Sequence, residues 1–304
     1  AVLPFNKWRI AAYLKLHRID LVQVANLALY KKAARLARVP VVIERTDGLR
    51  GGAALTPKEG LDAVIASTEG VAQRIREMMP PEKVHVIYNG FDLDSYQGIT
   101  PERFGFAEED VIIGRTSRLA GGKNISLLIQ AVIELRENPK YKHVRLVICG
   151  GDNTQADAKP MMAQLKKEAK PLGESVVFTG EVFDTRAITL GYDIATCTSN
   201  SNNEGIPNSL IEAIAAGKPV VTTAVDDIPE LVTDGKEGLL VPEQDLEGLT
   251  AALKQLVDDA GIRGKMGRRG KEKIAEQFEL NLQISKYRDL YRQLLDRINL
   301  PTQR

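Results

Sequence analysis

The chain is predicted to be α/β, with parallel sheets covered by helices on both faces. Three observations carry this. Short apolar runs alternate with stretches of helical apolar spacing along most of the length. A polar, glycine-containing linker at 97–105 divides the series in two. The length, 304 residues, is more than one hydrophobic core usually needs.

Before the linker, strands are expected at 21–24, 39–43, 63–66 and 84–87, with helices at 28–38 and 68–79. Asn89-Gly90 is a turn signal that marks the close of this half. After it, strands are expected at 111–114, 144–149, 176–178, 194–198, 220–222 and 238–241. Leu128, Ala131, Val132 and Leu135 keep helical spacing behind the first of them. The last helix carries Tyr287, Leu290, Tyr291, Leu294 and Ile298 on one face, more apolar surface than a free tail should expose. The pattern contains no internal repeat and no low-complexity tract. Alternation of this kind belongs to parallel sheets, and open sheets take ligands at the carboxyl ends of their strands.

Two segments after such strand ends carry chemistry. Residues 199–203 lack apolar periodicity, Pro207 has the φ of a first helical position, and Leu210, Ile211 and Ile214 supply an apolar face. A helix therefore starts near Pro207 and ends at Gly217-Lys218-Pro219. Its free N–H groups and positive dipole end favour a phosphate or a sugar oxygen. Glu204 lies in the loop and Glu212 about one and a half turns in, where a carboxylate suits a ribose diol. In the other segment, Arg118 and Lys123 flank Ala120-Gly121-Gly122, a turn able to bring both cations to one side. Taken singly, each of these charges reads as a solvated surface group.

Together they read as more. The run EGIPNSLIEAIAAGKPVV resembles the Glu-x7-Glu signature of the retaining glycosyltransferases of family 4. VIIGRTSRLAGGKNISLLIQAVIEL resembles that family's strand, phosphate loop and first helix, and KVHVIYNGFD resembles the turn closing its first domain. The likeness runs over about residues 20 to 295. It implies the GT-B fold, two Rossmann-like parallel-sheet domains facing a cleft. Residues 1–103 would be a short acceptor-side domain, 104–280 the nucleotide-sugar domain and 281–304 a helix returning to the first. It also implies transfer, with retention, of a hexose-type sugar from a UDP- or GDP-linked donor to a glycan or lipid-linked acceptor. In that scheme Arg118 and Lys123 grip the diphosphate and Glu204 contacts the donor sugar. Gly205, Ile206, Pro207 and Asn208 help orient that sugar, and Glu212 holds the ribose.

Two departures stand against the full pattern. Nothing before Leu21 supplies the family's opening strand, glycine-rich loop and following units, so the first domain is expected to be incomplete or the chain a fragment. In IERTDG, Asp47 stands where relatives commonly carry a histidine that meets the donor sugar; capping the Gly48 turn is its expected role. A non-catalytic nucleotide-sugar-binding module, or an inactive truncated transferase, is the alternative reading.

Leaving-group charge can be held by a metal on an Asp-x-Asp or by cations and helix N-termini. The only Asp-x-Asp, Asp92-Leu93-Asp94, sits in the Asn-Gly turn, so neither metal nor cofactor is expected. A glycoside-hydrolase carboxylate pair would leave the cationic loop without purpose. His17, His85 and His143 share no motif with a serine or cysteine, and Gly150-Gly151 lacks dinucleotide-fingerprint spacing. No zinc or P-loop spacing occurs, and no pyridoxal-binding lysine of a phosphorylase can be identified. Cys149 and Cys197 each end a strand-like run, as buried thiols in a reducing compartment do, and the cytoplasm is the expected location.

Net charge is +1, yet residues 1–50 hold ten Lys or Arg against three acids. Two readings follow: contact with anionic lipid at a membrane periphery, or an ordinary solvated helix face with Lys31, Lys32, Arg35 and Arg38 outward. Nucleic acid is not expected, since aromatic interleaving and binding motifs are lacking.

Overall fold

A computed structural model of the chain describes residues 7–25, 28–46, 60–151, 159–201 and 205–299. It divides into two compact units, Ala1–Gly90 with Leu280–Arg304, and Phe91–Glu279.

The first unit holds α1 (Lys7–Leu16), β1 (Leu21–Ala25), α2 (Ala28–Ala37), β2 (Val41–Thr46), β3 (Ala63–Ala66), α3 (Glu69–Arg76) and β4 (Val84–Val86), its sheet being parallel in the order β1-β2-β3-β4. Successive strand residues face opposite sides. Val42, Val64 and Ala66 therefore pack with Ala34 of α2 and Val71, Ala72 and Ile75 of α3, while Val41, Ile43, Ala63 and Ile65 meet Leu290 and Leu294 of the terminal helix. Covering on both faces explains why these strands read as unbroken apolar runs. Strand β2 starts at Val41 rather than at Val39 because Pro40 has no N–H to give the ladder. Lys31 does not lie outward: its ammonium pairs with the fully buried Glu44 carboxylate of β2. A buried carboxylate needs such a partner, which outweighs the hydration of one lysine.

The second unit is built on β5 (Val111–Thr116), β6 (Val144–Cys149), β7 (Val176–Gly180), β8 (Ile194–Cys197), β9 (Val220–Thr223) and β10 (Gly238–Val241). Between and after them run α4 (Ile125–Glu137), α5 (Lys159–Glu168), α6 (Arg186–Gly191), α7 (Asn208–Ala215), α8 (Ile228–Leu231), α9 (Leu246–Asp258) and α10 (Ala260–Gln277). The sheet is parallel in the order β10-β9-β8-β5-β6-β7. The chain thus works outward from β5 through β6 and β7, then returns to the other side of β5 for β8, β9 and β10. The place where the order reverses, between β5 and β8, is where an open α/β sheet leaves a crevice at its strand ends.

Residues 91–103 pack with this second unit, although the sequence reading assigned them to the first domain. Phe91 N–H donates to Phe278 O (2.8 Å), Tyr96 Oη to Glu212 O (3.0 Å) and Glu102 N–H to Ala187 O (2.9 Å). The terminal helix α11 (Leu280–Asn299) belongs to the first unit, where Arg45 donates to Tyr287 Oη and to Asn89 Oδ1.

Candidate functional site

Both chemistry-bearing segments leave the sheet at the strands flanking the reversal. After β5, Ser117 N–H donates to Cys149 O (3.0 Å) and Leu119 N–H to Gly151 O (3.2 Å), so the loop is laid across the end of β6. Leu119 is buried and anchors it to the core under α4. Arg118, between these two bonds, is exposed and makes no hydrogen bond or ion pair with the described residues. Lys123 ends a single 3-10 turn, Gly121–Lys123, and is half-buried. Asn124 follows at φ 45°, a left-handed cap from which α4 begins.

The segment after β8 is stitched to this turn. Thr198 Oγ1 donates to Lys123 O (3.2 Å) and Asn124 O (2.9 Å), and Asn200 N–H donates to Gly122 O (2.9 Å). Thr223 Oγ1 holds Ser199 O at 2.6 Å, while Gln244 bridges Asn200 and Asn124. The phosphate-loop candidate and the start of the acidic loop are therefore one hydrogen-bonded body. Glu204 lies outside the described residues, as does Asp47. Gly205, Ile206 and Pro207 are half-buried and Asn208 is exposed at the head of α7. Pro207 stands one position earlier than expected: at φ −66° and ψ 128° it is the cap, and its carbonyl accepts from Leu210 N–H (3.0 Å) and Ile211 N–H (3.3 Å). At the other end Gly217, at φ +76°, closes α7 with Lys218 N–H on Ala213 O (3.0 Å), the Schellman arrangement.

Glu212 is the fifth residue of α7. Burial pushes its carboxyl above the ordinary glutamate range. It is near enough to Cys149 at the end of β6, and to Tyr96, that its charge raises both of their pKa values on top of the effect of burial. The residue is half-buried, in a setting it shares with Cys149 and Tyr96. Folded Glu212 holds its proton more tightly than the unfolded chain, so ionising it opposes folding. Its favourable contribution is complete below the unfolded glutamate value and is lost as pH rises through the raised one. Glu212→Gln is expected to raise Tm by on the order of 2 °C at about pH 8 and to flatten the fall of stability with pH. Nucleotide binding should weaken in the same variant; melts across the pH range with and without nucleotide check both.

Asp92 accepts from Asp94 N–H (3.0 Å), so the Asp-x-Asp caps its own turn. Among the described residues no group of three or more His, Cys, Asp or Glu is placed to hold a metal. Two residues escaped the sequence reading. Tyr96 supports α7 through Glu212 O, and its signal was only an aromatic soon after the Asn-Gly turn. Arg115, on β5, is 2% exposed and donates to Ser117 Oγ (3.2 Å), Thr196 O (3.1 Å) and Ser199 Oγ (3.2 Å). Its signal was an arginine at the end of an apolar run.

Paired parallel-sheet units of this kind define the GT-B architecture. The structure matches Anabaena HepE, solved in complex with UDP, at a TM-score of 0.81 with 19% identity, over 94% of this chain and 82% of that one. It matches a glycosyltransferase from Rickettsia africae at 0.82 with 20% identity, over 97% and 83%. In sequence, residues 110–259 match the family model for glycosyl transferases group 1, and residues 1–95 match that for glycosyltransferase family 4. Over these two segments the chain is similar in sequence to the group 1 and family 4 glycosyltransferases. Similar proteins include the lipopolysaccharide core biosynthesis glycosyltransferase LpsE of Rhizobium meliloti, 28% identical over 71% of this chain and 60% of its own length. A D-inositol 3-phosphate glycosyltransferase of Corynebacterium aurimucosum is 28% identical over 77% and 57%. The chain spans 57–60% of the length of these curated relatives.

Proposed function

We propose that the chain forms the donor side of a retaining glycosyltransferase that moves a hexose-type sugar from a UDP- or GDP-linked donor to a glycan or lipid-linked acceptor. The observation that carries this is the single body formed by the Ser117–Asn124 and Thr198–Ser201 loops at the reversal of the sheet order. Such a crevice is where a nucleotide sits, and the loop bears two cations. HepE, with the same fold, has been solved with UDP and with UDP-glucose.

Breaking the bond from sugar to diphosphate builds negative charge on the phosphate and positive charge on the anomeric carbon. Arg118 and Lys123 stabilise the departing phosphate in place of a metal. Glu204 holds donor-sugar hydroxyls, the 205–208 backbone orients them, and Glu212 accepts from the ribose. Retention follows when the acceptor attacks on the face the phosphate leaves.

Asp47, standing where relatives commonly carry a histidine, favours a second reading, a nucleotide-sugar-binding module without turnover. Thermal shift with a nucleotide panel, followed by release of free nucleotide with and without acceptors, separates the two. Binding with no release under any acceptor would leave only the module.

The reading includes the cytoplasm as location and an anionic membrane periphery as the place of work. No helix among the described residues is long and apolar enough to cross a bilayer. The helices α1 and α2 expose Trp8, Tyr13 and Leu16 beside Arg9, Lys15 and Lys32, with Arg38 exposed just after α2, a mixture suited to an anionic lipid surface. Co-sedimentation with anionic but not zwitterionic vesicles is the expected result.

A further inference from the structure

We infer that Arg115 is a positioning residue of the donor site, whose buried guanidinium sets the two loops and provides fixed positive charge for a diphosphate. The inference rests on the nucleotide-sugar reading and goes beyond it, since Arg115 is not among the residues that the resemblance assigns to the donor.

Arg115 is among the largest fully buried side chains of the protein. A guanidinium stays charged at any ordinary pH, and a charge taken out of water needs an opposite charge or ligand. Arg115 has neither within the described chain. Its three hydrogen bonds go to two serine hydroxyls and one backbone carbonyl, all neutral, and no carboxylate pairs with it. Compare Glu44, equally buried in the other sheet, which has Lys31. An uncompensated cation in the core lowers stability.

Its place explains it. The β5 strand borders the reversal of the sheet order, and the side chain crosses to β8, where Nη1 donates to Thr196 O. Nε donates to Ser117, the residue before Arg118, and Nη2 to Ser199, on the loop running toward Gly205. One planar fork thus fixes the roots of both loops at the crevice. Because the charge sits in a low-dielectric interior, its field is weakly screened and favours an anion at the strand ends.

The probes are inorganic pyrophosphate, UDP and GDP, with uridine and guanosine as uncharged controls, titrated by calorimetry into the wild-type chain, Arg115→Met and Arg115→Lys. Arg115→Met, of similar volume, is expected to weaken pyrophosphate and nucleoside diphosphate on the order of tenfold or more, with nucleoside affinity changed less than about twofold. Arg115→Lys, which keeps the charge but not the fork, should recover part of the loss. Its melting temperature is expected to stay below that of Arg115→Met, since charge without the fork remains buried. Equal weakening of nucleoside and diphosphate would mean a strut only and would overturn the inference, as would unchanged pyrophosphate binding. Should Arg115→Met not fold, Ser199→Ala serves in its place, with the same selective loss expected for the diphosphates. Wild-type protein that takes pyrophosphate but no nucleotide would sink the nucleotide-sugar reading while sparing the role of Arg115.

Discussion

Replacing Arg118 by alanine should lower kcat by about 10²–10³ and leave the fold as it was. The side chain is exposed and bonds to none of the described residues, so its removal takes away no packing and exposes no buried donor. Surface changes of this sort stay within about 0.5 kcal/mol. On the proposed reading, what is lost is a charge-assisted contact to the departing phosphate, which is stronger in the transition state than in the bound donor. The fall should therefore appear in kcat more than in the donor KM, and preference among donor sugars should hardly change. Arg118→Lys should recover part of the rate, because an ammonium supplies charge without the bidentate geometry. Steady-state release of free nucleotide, paired with thermal melts, measures all of this. A kcat within about twofold of wild type would remove Arg118 from the machinery and place the phosphate-holding role on Lys123 alone.

Much of this arrangement could be read from the chain before any coordinates, for identifiable physical reasons. Strands buried on both faces must be apolar throughout, so β5, β6, β8 and β9 announced themselves as short Val, Ile, Leu and Cys runs. The ends of α7 were legible because Pro207 and Gly217 have special backbone preferences that act locally. Non-local events were not legible. Lys31 turns inward only because α2 lies over β2 with Glu44 beneath it, and no local rule pairs residues thirteen apart in sequence. Tyr96 reaches α7 across 116 residues, and Arg115 finds Ser199 across 84. Charged residues inside strands are ordinarily read as strand ends, so the one arginine that crosses to β8 looked like a boundary. The helix register of Glu212 was read correctly as a position, but its raised pKa comes from burial, and its nearness to Cys149 and Tyr96 comes from elements that sequence spacing does not place beside it.

Gly150→Ala is expected to produce the largest loss of stability of any single methyl added near the site. A Cβ at this position would overlap the backbone carbonyl oxygen of Ser117, and the residue sits at φ +147°, where an L side chain is strained in any case. Backbone cannot step aside as a flexible side chain does. To admit the methyl, the β5 loop has to lift from the end of β6, which breaks Ser117 N–H to Cys149 O and Leu119 N–H to Gly151 O on either side of Arg118. Gly150 N–H, bonded to Gly180 O at 3.0 Å, ties the same point to β7 and removes the other direction of escape. Strain and lost bonds together should cost about 3–4 kcal/mol, a fall in Tm of about 6–16 °C for a unit of this size. Nucleotide binding should go with it, because the loop that lifts is the one stitched to Thr198 and Asn200. Gly121→Ala is the internal control: a Cβ there meets nothing within 4 Å, so the same methyl placed in the same loop should leave melting and binding near wild type. If both variants melted alike, the close approach of β6 to the β5 loop would not be what holds Arg118 and Lys123 in place.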